Sequence, residues 1–165
     1  RTEQWQEKFD QCADCSFETL EVPLGDLAKP GPPFFDGFLS SPLAQDVDWV
    51  AASSDAYVVP SMRTAIDRGI DSYKFAGTAA VPEMTIPMTK PDSLAQVTVA
   101  EAYTYMAWAA LDNAMRKKAG APTWDATTVP VGLVTPENAQ EYADGGELAP
   151  PEGIAETFEP LWTGG

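Results

Sequence analysis

Two short polar segments stand directly behind apolar runs, and their residue types suit the binding of a polar ligand. Ser53-Ser54-Asp55 follows the run Trp49–Ala52, and Gly77-Thr78-Ala79 follows the run Ser72–Ala76. Hydroxyl and carboxylate groups form hydrogen bonds with polar molecules. In open α/β sheets, ligands bind beyond the carboxyl ends of the strands. We therefore expect both segments to lie at one ligand-binding edge.

The residue types also exclude several kinds of catalytic site. The sequence contains no histidine, which removes Ser-His-Asp and Cys-His catalysis and most zinc sites. No glycine-rich phosphate-binding loop follows an apolar run. An enzyme built from this chain would have to use carboxylates such as Asp55 and Glu101. We therefore expect a chain that is not an enzyme and that carries no metal and no cofactor.

The two cysteines form a single motif, Cys12-Ala13-Asp14-Cys15. Such a motif can be a redox centre, half of a metal site or a local disulfide. A metal site would need further ligands, which only a second chain would supply. A thioredoxin-like motif would follow a strand at the start of a helix, whereas this one follows a predicted helix. We expect a structural disulfide, which is typical of an oxidising, extracytoplasmic compartment.

Composition limits the size and the partners of the protein. The chain has 165 residues, of which 44% are hydrophobic, enough for one domain with a core. Ten basic and 25 acidic residues give a net charge of -15, which disfavours nucleic acids and anionic membranes as partners. The helical opening RTEQWQEKFDQC has no preceding cap, so we expect a fragment without its N-terminal part. Residues 145–165, rich in Gly, Pro and Glu, are expected to form a surface tail.

The segment Asp46–Gly77 predicts a βαβ unit with parallel strands and a right-handed crossover. Its first strand, Trp49–Ala52, is apolar enough to be covered on both faces. Ser53-Ser54-Asp55 provides N-cap chemistry for the helix, and Gly69 suits the position after the helix. Pro60 suggests that the regular helix begins nearer Val59. The buried side of this helix is predicted to contain Val58, Met62, Ala65 and Ile66.

Further elements alternate along the chain in the same way. The long loop Thr78–Pro91 holds three prolines, which make a long regular helix improbable, and its Met84 and Met88 are interpreted as packing residues. The long helix Ala102–Ala119 is predicted to bury Tyr103, Ala107, Ala110, Leu111 and Ala114. Other predicted elements are helix Thr2–Gln11, strand Phe17–Leu24, helix Pro33–Ser41, strand Gln96–Ala100, strand Thr127–Val134 and a short helix from Thr135. Such alternation indicates an α/β, three-layer sandwich with a mostly parallel sheet.

Five stretches of the sequence resemble the C-terminal lobe of type I periplasmic binding proteins of the ribose/galactose-binding class. They are PLAQDVDWVAASSDAYVVPSMRTAIDRGI, SYKFAGTAAVPE, AQVTVAEAYTYMAWAALDNAMRKKAG, VPVGLVTPENAQEY and the opening Arg1 with Trp5. These stretches follow one another in the order of the family and cover nearly the whole chain. LacI-type repressors use the same fold as an effector domain. The resemblance implies that residues 1–165 form one lobe of a two-lobe protein.

The resemblance also implies ligand-binding residues. In the family, an Asn, an Asp and a Gln at successive strand ends contact the sugar, and these positions fall on Ser54, Ala79 and Glu101. All three residues differ from the family pattern, and Glu101 is acidic where the family usually has an amide. The sequence leaves open whether Asp55, beside Ser54, caps the helix or contacts the ligand. Tyr57, Tyr103 and Arg1 complete the set of candidate ligand-binding residues.

The function implied by the resemblance is that of the solute-binding component of an ABC importer. A sugar or similar polar small molecule would bind between this lobe and a missing N-terminal lobe, and an ABC permease would receive it. The location would be the periplasm or, with a lipid anchor, the cell surface; the signal sequence would lie outside this fragment. The alternative is the effector-sensing domain of a LacI-type regulator or of a sensory receptor.

Overall fold

The computed structural model describes residues 2–23, 25, 33–123, 129–145, 147–150, 152–154, 156 and 158. Their helices are α1 (Thr2–Phe9), α2 (Pro33–Leu39), α3 (Asp55–Asp67), α4 (Pro82–Met88) and α5 (Tyr103–Ala119). Their strands are β1 (Trp49–Ala51), β2 (Lys74–Ala76), β3 (Ala95–Glu101) and β4 (Val131–Val134). Short 3₁₀ helices occupy Pro42–Gln45 and Ala139–Tyr142.

The four strands form one sheet in the order β1-β2-β3-β4. β1 pairs with β2 and β2 with β3 in parallel, whereas β3 and β4 are antiparallel. The fold is therefore α/β, with a mostly parallel sheet flanked by helices, as the alternation of elements predicts. The parallel βαβ unit β1-α3-β2 is confirmed. Because β1, β2 and β3 run in the same direction, their carboxyl ends meet at one edge of the sheet.

One face of the sheet carries the core. Phe75 on β2 and Val134 on β4 are fully buried, as are Met84 and Met88 on α4. Phe35 on α2 packs beside Phe75, with ring centroids 6.1 Å apart. The packing interpretation of the two methionines is confirmed, because both belong to this single cluster of buried apolar side chains.

The opposite face of the sheet remains accessible to solvent. On this face the register pairs Ala51 with Ala76, Ala76 with Val97 and Val99 with Leu133, whereas Trp49 pairs with Lys74. Trp49 is 50% exposed, Val131 63% and Leu133 62%. The prediction that β1 is covered on both faces is therefore wrong, since β1 lies at the sheet edge with one face open. We call the apolar residues Trp49, Ala76, Val97, Val99, Val131 and Leu133 the open face.

Helix α3 begins earlier than its proline suggests. It starts at Asp55, and Pro60 lies inside it. Ser54 is the N-cap, and its hydroxyl accepts the Ala56 N–H at 3.3 Å. Only one intrahelical hydrogen bond is lost at Pro60, and tertiary packing outweighs that loss. Val58, Met62 and Ala65 are buried as predicted, whereas Ile66 is 56% exposed.

Two other predictions from strand and loop patterns are wrong. Residues 17–23 contain no strand, and Leu24 lies outside the described residues. Residues 78–91 are not a continuous irregular loop, because they contain α4. Pro82 occupies the first turn of that helix, where its missing N–H costs nothing.

Helix α5 turns a different side inward from the one predicted. Its buried residues are Ala109 and Asp112. On the same side, Tyr105 packs edge-on against Phe158 and Trp108 stacks with it, at centroid distances of 6.4 and 6.1 Å. The predicted stripe of Tyr103, Ala107, Ala110, Leu111 and Ala114 is exposed instead. Phe158 is itself buried, so this residue covers the inner side of α5.

The core position of Phe75 can be tested by truncation. We expect Phe75→Ala to lower the free energy of unfolding by about 3–5 kcal/mol, because it removes a fully buried aromatic ring. Ile66→Ala on the exposed side of α3 should change it by less than about 1 kcal/mol. Urea denaturation of both variants measures the difference. Equal effects would contradict the described core.

Candidate functional site

The carboxyl edge of the sheet brings most of the predicted ligand-binding residues into one region. Ser54 follows β1, Ala79 follows β2, and Glu101 ends β3. Backbone hydrogen bonds to β3 fix the segment after β2. The Gly77 N–H donates to the Val97 carbonyl and the Ala79 N–H to the Val99 carbonyl, each at 2.9 Å. This edge is where parallel α/β sheets bind their ligands.

Asp55 is the buried centre of this edge. It has no exposed surface, and its carboxylate accepts the Val81 N–H at 3.1 Å and the Thr98 hydroxyl at 3.1 Å. The same hydroxyl accepts the Ala80 N–H at 3.2 Å. Asp55 thereby joins the start of α3, the loop after β2 and the middle of β3.

The loop after β2 has an unusual backbone that this carboxylate holds in place. Ala79 has φ 117° and Ala80 has φ 51°, values that residues with a Cβ rarely adopt. Such conformations persist only where surrounding contacts enforce them. The Asp55 N–H donates to Thr78 at 2.8 Å, so both the backbone and the side chain of Asp55 fix this loop.

Burial determines the protonation of Asp55. Loss of solvation raises the pKa of its carboxyl from 3.8 to about 6, although hydrogen bonds from Val81 and Thr98 act in the opposite direction. The nearby Glu101 carboxylate adds a smaller upward contribution to this pKa. Asp55 is therefore a positioning residue whose charge changes in mildly acidic solution.

A cleft of about 350 Å³ opens beside this loop. Its lining residues are Ala79, Ala80, Val81, Pro82, Tyr103, Gly145 and Glu147. Tyr103 is 41% exposed. The pKa of the Tyr103 phenol is raised, mainly by partial burial and to a smaller extent by the negative charge of Glu101. The cleft thus combines an apolar floor, one aromatic ring and a carboxylate.

The predicted site residues divide into three groups. Ala79 and Tyr103 line the cleft, and Glu101 lies next to Tyr103 through a side-chain hydrogen bond. Ser54 acts as a helix cap, and Tyr57 packs edge-on against Phe34 at 6.3 Å. Asp55 presents no surface to a ligand, so direct contact from it would require a conformational change. Arg1 lies outside the described residues.

Glu147 is the charged cleft residue that sequence reasoning missed. Its carboxylate accepts the Thr104 N–H at 3.1 Å, in the first turn of α5. The Leu148 N–H donates to Glu101 at 3.3 Å, which brings this segment to the end of β3. No periodic pattern marks Glu147, because it lies in a segment rich in Gly, Pro and Glu. Only the tertiary structure reveals its place.

Residues outside the cleft have local roles. Cys12 and Cys15 form a disulfide after α1, in agreement with the expected pairing, and its structural role stays a prediction. Asn138 binds the turn before Ala139–Tyr142, accepting the Thr135 N–H at 2.8 Å. The predicted short helix at Thr135 is a turn followed by this 3₁₀ helix. None of the described helices is both long and apolar enough to cross a membrane.

Several solved structures share this fold. The solute-binding protein of a 5-methylthioribose transporter from Thermotoga lettingae has 16% sequence identity and a TM-score of 0.67, over 96% of this chain and 53% of that chain. A sugar ABC transporter protein from Yersinia enterocolitica has 14% identity and a TM-score of 0.68, over 95% and 46%. A galactofuranose-binding protein has 19% identity and a TM-score of 0.57, over 69% and 39%.

These likenesses establish the fold as that of one lobe of the type I periplasmic binding proteins. The chain spans about half of those proteins or less, as the coverage values show. No protein-family model matches the sequence, and the comparison with curated proteins found no match.

The buried carboxylate predicts a distinct pH dependence of stability. A carboxyl whose pKa is higher in the folded state than in the unfolded state binds more protons when folded, so its contribution to stability is lost as pH rises. When the pH is raised from 4 to 7, deprotonation of Asp55 should lower the free energy of unfolding by about 2–3 kcal/mol. We expect Asp55→Asn to lack this change. Urea denaturation of both proteins across this range measures it, and parallel pH profiles would contradict it.

Gly77 provides a second test of the same cluster. A Cβ at this position would lie 2.0 Å from Oδ1 of Asp55, so Gly77→Ala must displace the carboxylate or the loop. We expect a loss of about 2–3 kcal/mol in the free energy of unfolding. Gly37→Ala is the matched control, because Gly37 lies in α2 with open space around it. The control should be neutral or slightly stabilising; a tolerated Gly77→Ala would refute the tight approach.

Proposed function

We propose that this chain is one lobe of an extracytoplasmic solute receptor, which binds a sugar or similar polar small molecule for an ABC importer. The supporting proteins of the same fold are described as sugar-transporter or sugar-binding proteins. The position of the cleft carries the proposal, because it lies at the carboxyl edge of the parallel strands beside Tyr103 and Glu101.

The chemistry of the cleft suits a neutral, hydroxyl-rich ligand. Carboxylates of Glu101 and Glu147 can accept hydrogen bonds from hydroxyl groups. The Tyr103 ring offers an aromatic surface, and the floor at Val81 and Pro82 is apolar. No lysine or arginine is among the described lining residues, so an anionic ligand would find no opposite charge there. Few polar groups in a mostly apolar cleft are typical of small-molecule sites.

Closure of two lobes would complete the site. The hydrogen bonds of Asp55 and Thr98 hold the loop at Ala79 and Ala80 before ligand binding, which reduces the entropy lost on binding. A second lobe would then cover the ligand by hinge motion, and the closed form would dock to the permease. Because this chain forms one wall only, we expect it to bind ligand weakly by itself.

The proposed role includes no covalent chemistry. The carboxylates at this edge are those of Asp55, Glu101 and Glu147, and Asp55 has no exposed surface from which to reach a substrate. A general acid or base must reach its substrate directly or through one water molecule. The disulfide of Cys12 and Cys15 favours an extracytoplasmic receptor over a cytoplasmic regulator.

Titration of the isotopically labelled chain with sugars, polyols and nucleosides tests the proposal. We expect millimolar binding by at least one sugar, with NMR shift changes centred on Ala79, Tyr103 and Gly145. Glu101→Gln and Glu147→Gln should each weaken that binding about tenfold, equivalent to about 1.4 kcal/mol for a lost charged hydrogen bond.

Glu83→Gln on α4 is the control, because Glu83 is exposed and is not among the cleft-lining residues. It should bind like the unaltered chain. Shift changes that cluster away from the cleft, or no response to any sugar, would reject the proposal.

A further inference from the structure

The first helix and the segment behind it form a small unit around three aromatic rings. Phe17 stacks on Phe9 with ring centroids 4.9 Å apart, and it packs edge-on against Trp5 at 6.3 Å. No residue of α1 is buried. Among the described residues, the three rings lie outside the buried apolar cluster at the sheet. The ring contacts described for α1 therefore come from Phe17.

The Cys12–Cys15 disulfide closes the chain reversal that brings Phe17 back to the helix. The Cys12 N–H donates to the Phe9 carbonyl at 2.9 Å, and the Cys15 N–H donates to the Cys12 carbonyl at 3.3 Å. The disulfide joins the two ends of this second turn. A covalent bond thus fixes the turn that lies between the stacked rings of Phe9 and Phe17.

Helix α1 has little stability of its own. It has eight residues, and a helix this short is marginal in water. Side-chain hydrogen bonds such as Gln6 to Asp10 at 2.7 Å are exposed, and bonds of this kind between positions four apart add little. A disulfide, in contrast, restricts the unfolded chain. The helix therefore depends on the disulfide and on the contact with Phe17.

We propose that the Cys12–Cys15 disulfide is a redox-sensitive clasp, whose reduction releases Phe17 and unfolds α1 while the core around the sheet stays folded. Both cysteines are exposed, so a thiolate can reach the disulfide, and exposed disulfides are commonly the labile ones. The buried apolar residues described for the core all lie between Phe35 and Phe158. Opening the clasp therefore removes no core contact.

The reductant is a dithiol, which supplies two electrons and two protons. One thiolate of the dithiol attacks a sulfur of the disulfide and forms a mixed disulfide, and the other cysteine leaves and takes up a proton. The second thiol of the reagent then attacks the mixed disulfide, which produces a cyclic disulfide and the second cysteine thiol. A monothiol is less effective, because the free cysteine three positions away expels it and closes the clasp again.

NMR of the isotopically labelled 165-residue chain, with and without dithiothreitol, tests the proposal. In the oxidised chain, residues 2–9 should show helical Cα shifts and the rings of Phe9 and Phe17 should show mutual NOEs. After reduction, residues 2–9 should lose more than about half of their helical shift offset, and these NOEs should disappear. The shifts of α3 should not change, and reoxidation should restore those of α1.

Three variants separate the bond from the reagent and from the ring. Cys12→Ser/Cys15→Ser should resemble the reduced chain without dithiothreitol and should not respond to it. Phe17→Ala keeps the disulfide but removes the ring, so α1 should lose its helical shifts even when oxidised. Leu20→Ala is the matched control, because Leu20 is 54% exposed on the same segment, and it should leave α1 helical.

Four results would overturn the proposal. The first is a helical α1 in a chain whose two thiols are shown to be free by titration with a thiol reagent. The second is a disulfide that dithiothreitol leaves intact. The third is an oxidised Phe17→Ala chain with a helical α1, since the bond would then not act through Phe17. The fourth is a loss of the α3 shifts on reduction, because the disulfide would then support the whole domain.

Discussion

The structure depends on one buried carboxylate. Asp55 stands at the first position of α3 and receives hydrogen bonds from the loop after β2 and from Thr98 on β3. Three separate elements are thereby tied to one side chain at the edge of the sheet. Burying a carboxylate is costly unless hydrogen bonds compensate, so Asp55 requires these partners as much as they require it. The loop geometry at Ala79 and Ala80 follows from this mutual requirement.

The hydrogen bonds of Asp55 and Thr98 also hold the loop residues that line the cleft, although these residues have apolar side chains. Ala79 brings no charge to the described cleft, whose lining carboxylate is that of Glu147, while Glu101 lies outside the lining beside Tyr103. Glu147 comes from a distant part of the sequence and is oriented by the first turn of α5. The carboxylate of the cleft thus comes from the segment after β4, and the loop after β2 contributes only apolar lining.

Local sequence patterns predicted most of the fold. The βαβ unit, the long helix after β3 and helix α2 all follow from apolar spacing and helix-terminus residues. Pro60 misled the prediction because packing of Val58 and Met62 outweighs one lost hydrogen bond. The buried side of α5 could not be predicted, since both sides of that helix carry apolar residues and only the position of Phe158 selects between them.

The candidate site was less accessible to sequence reasoning. The carboxyl edge was located correctly because strand direction fixes it, and Ala79 and Tyr103 do line the cleft. The role of Asp55 was not foreseen, because a residue beside an N-cap gives no sign that its partners lie 26 and 43 positions further along the chain. Contacts over such distances are set by topology and leave no local pattern.

The open face has a consequence for the behaviour of the protein in concentrated solution. An apolar sheet surface at the edge strand β1 invites disordered association between chains. The net charge of -15 opposes such association through mutual repulsion. That repulsion vanishes near the isoelectric point of about 4.1. The acidity of the chain therefore gives colloidal protection at neutral pH to a surface that the described residues leave exposed, and this protection is lost near pH 4.1.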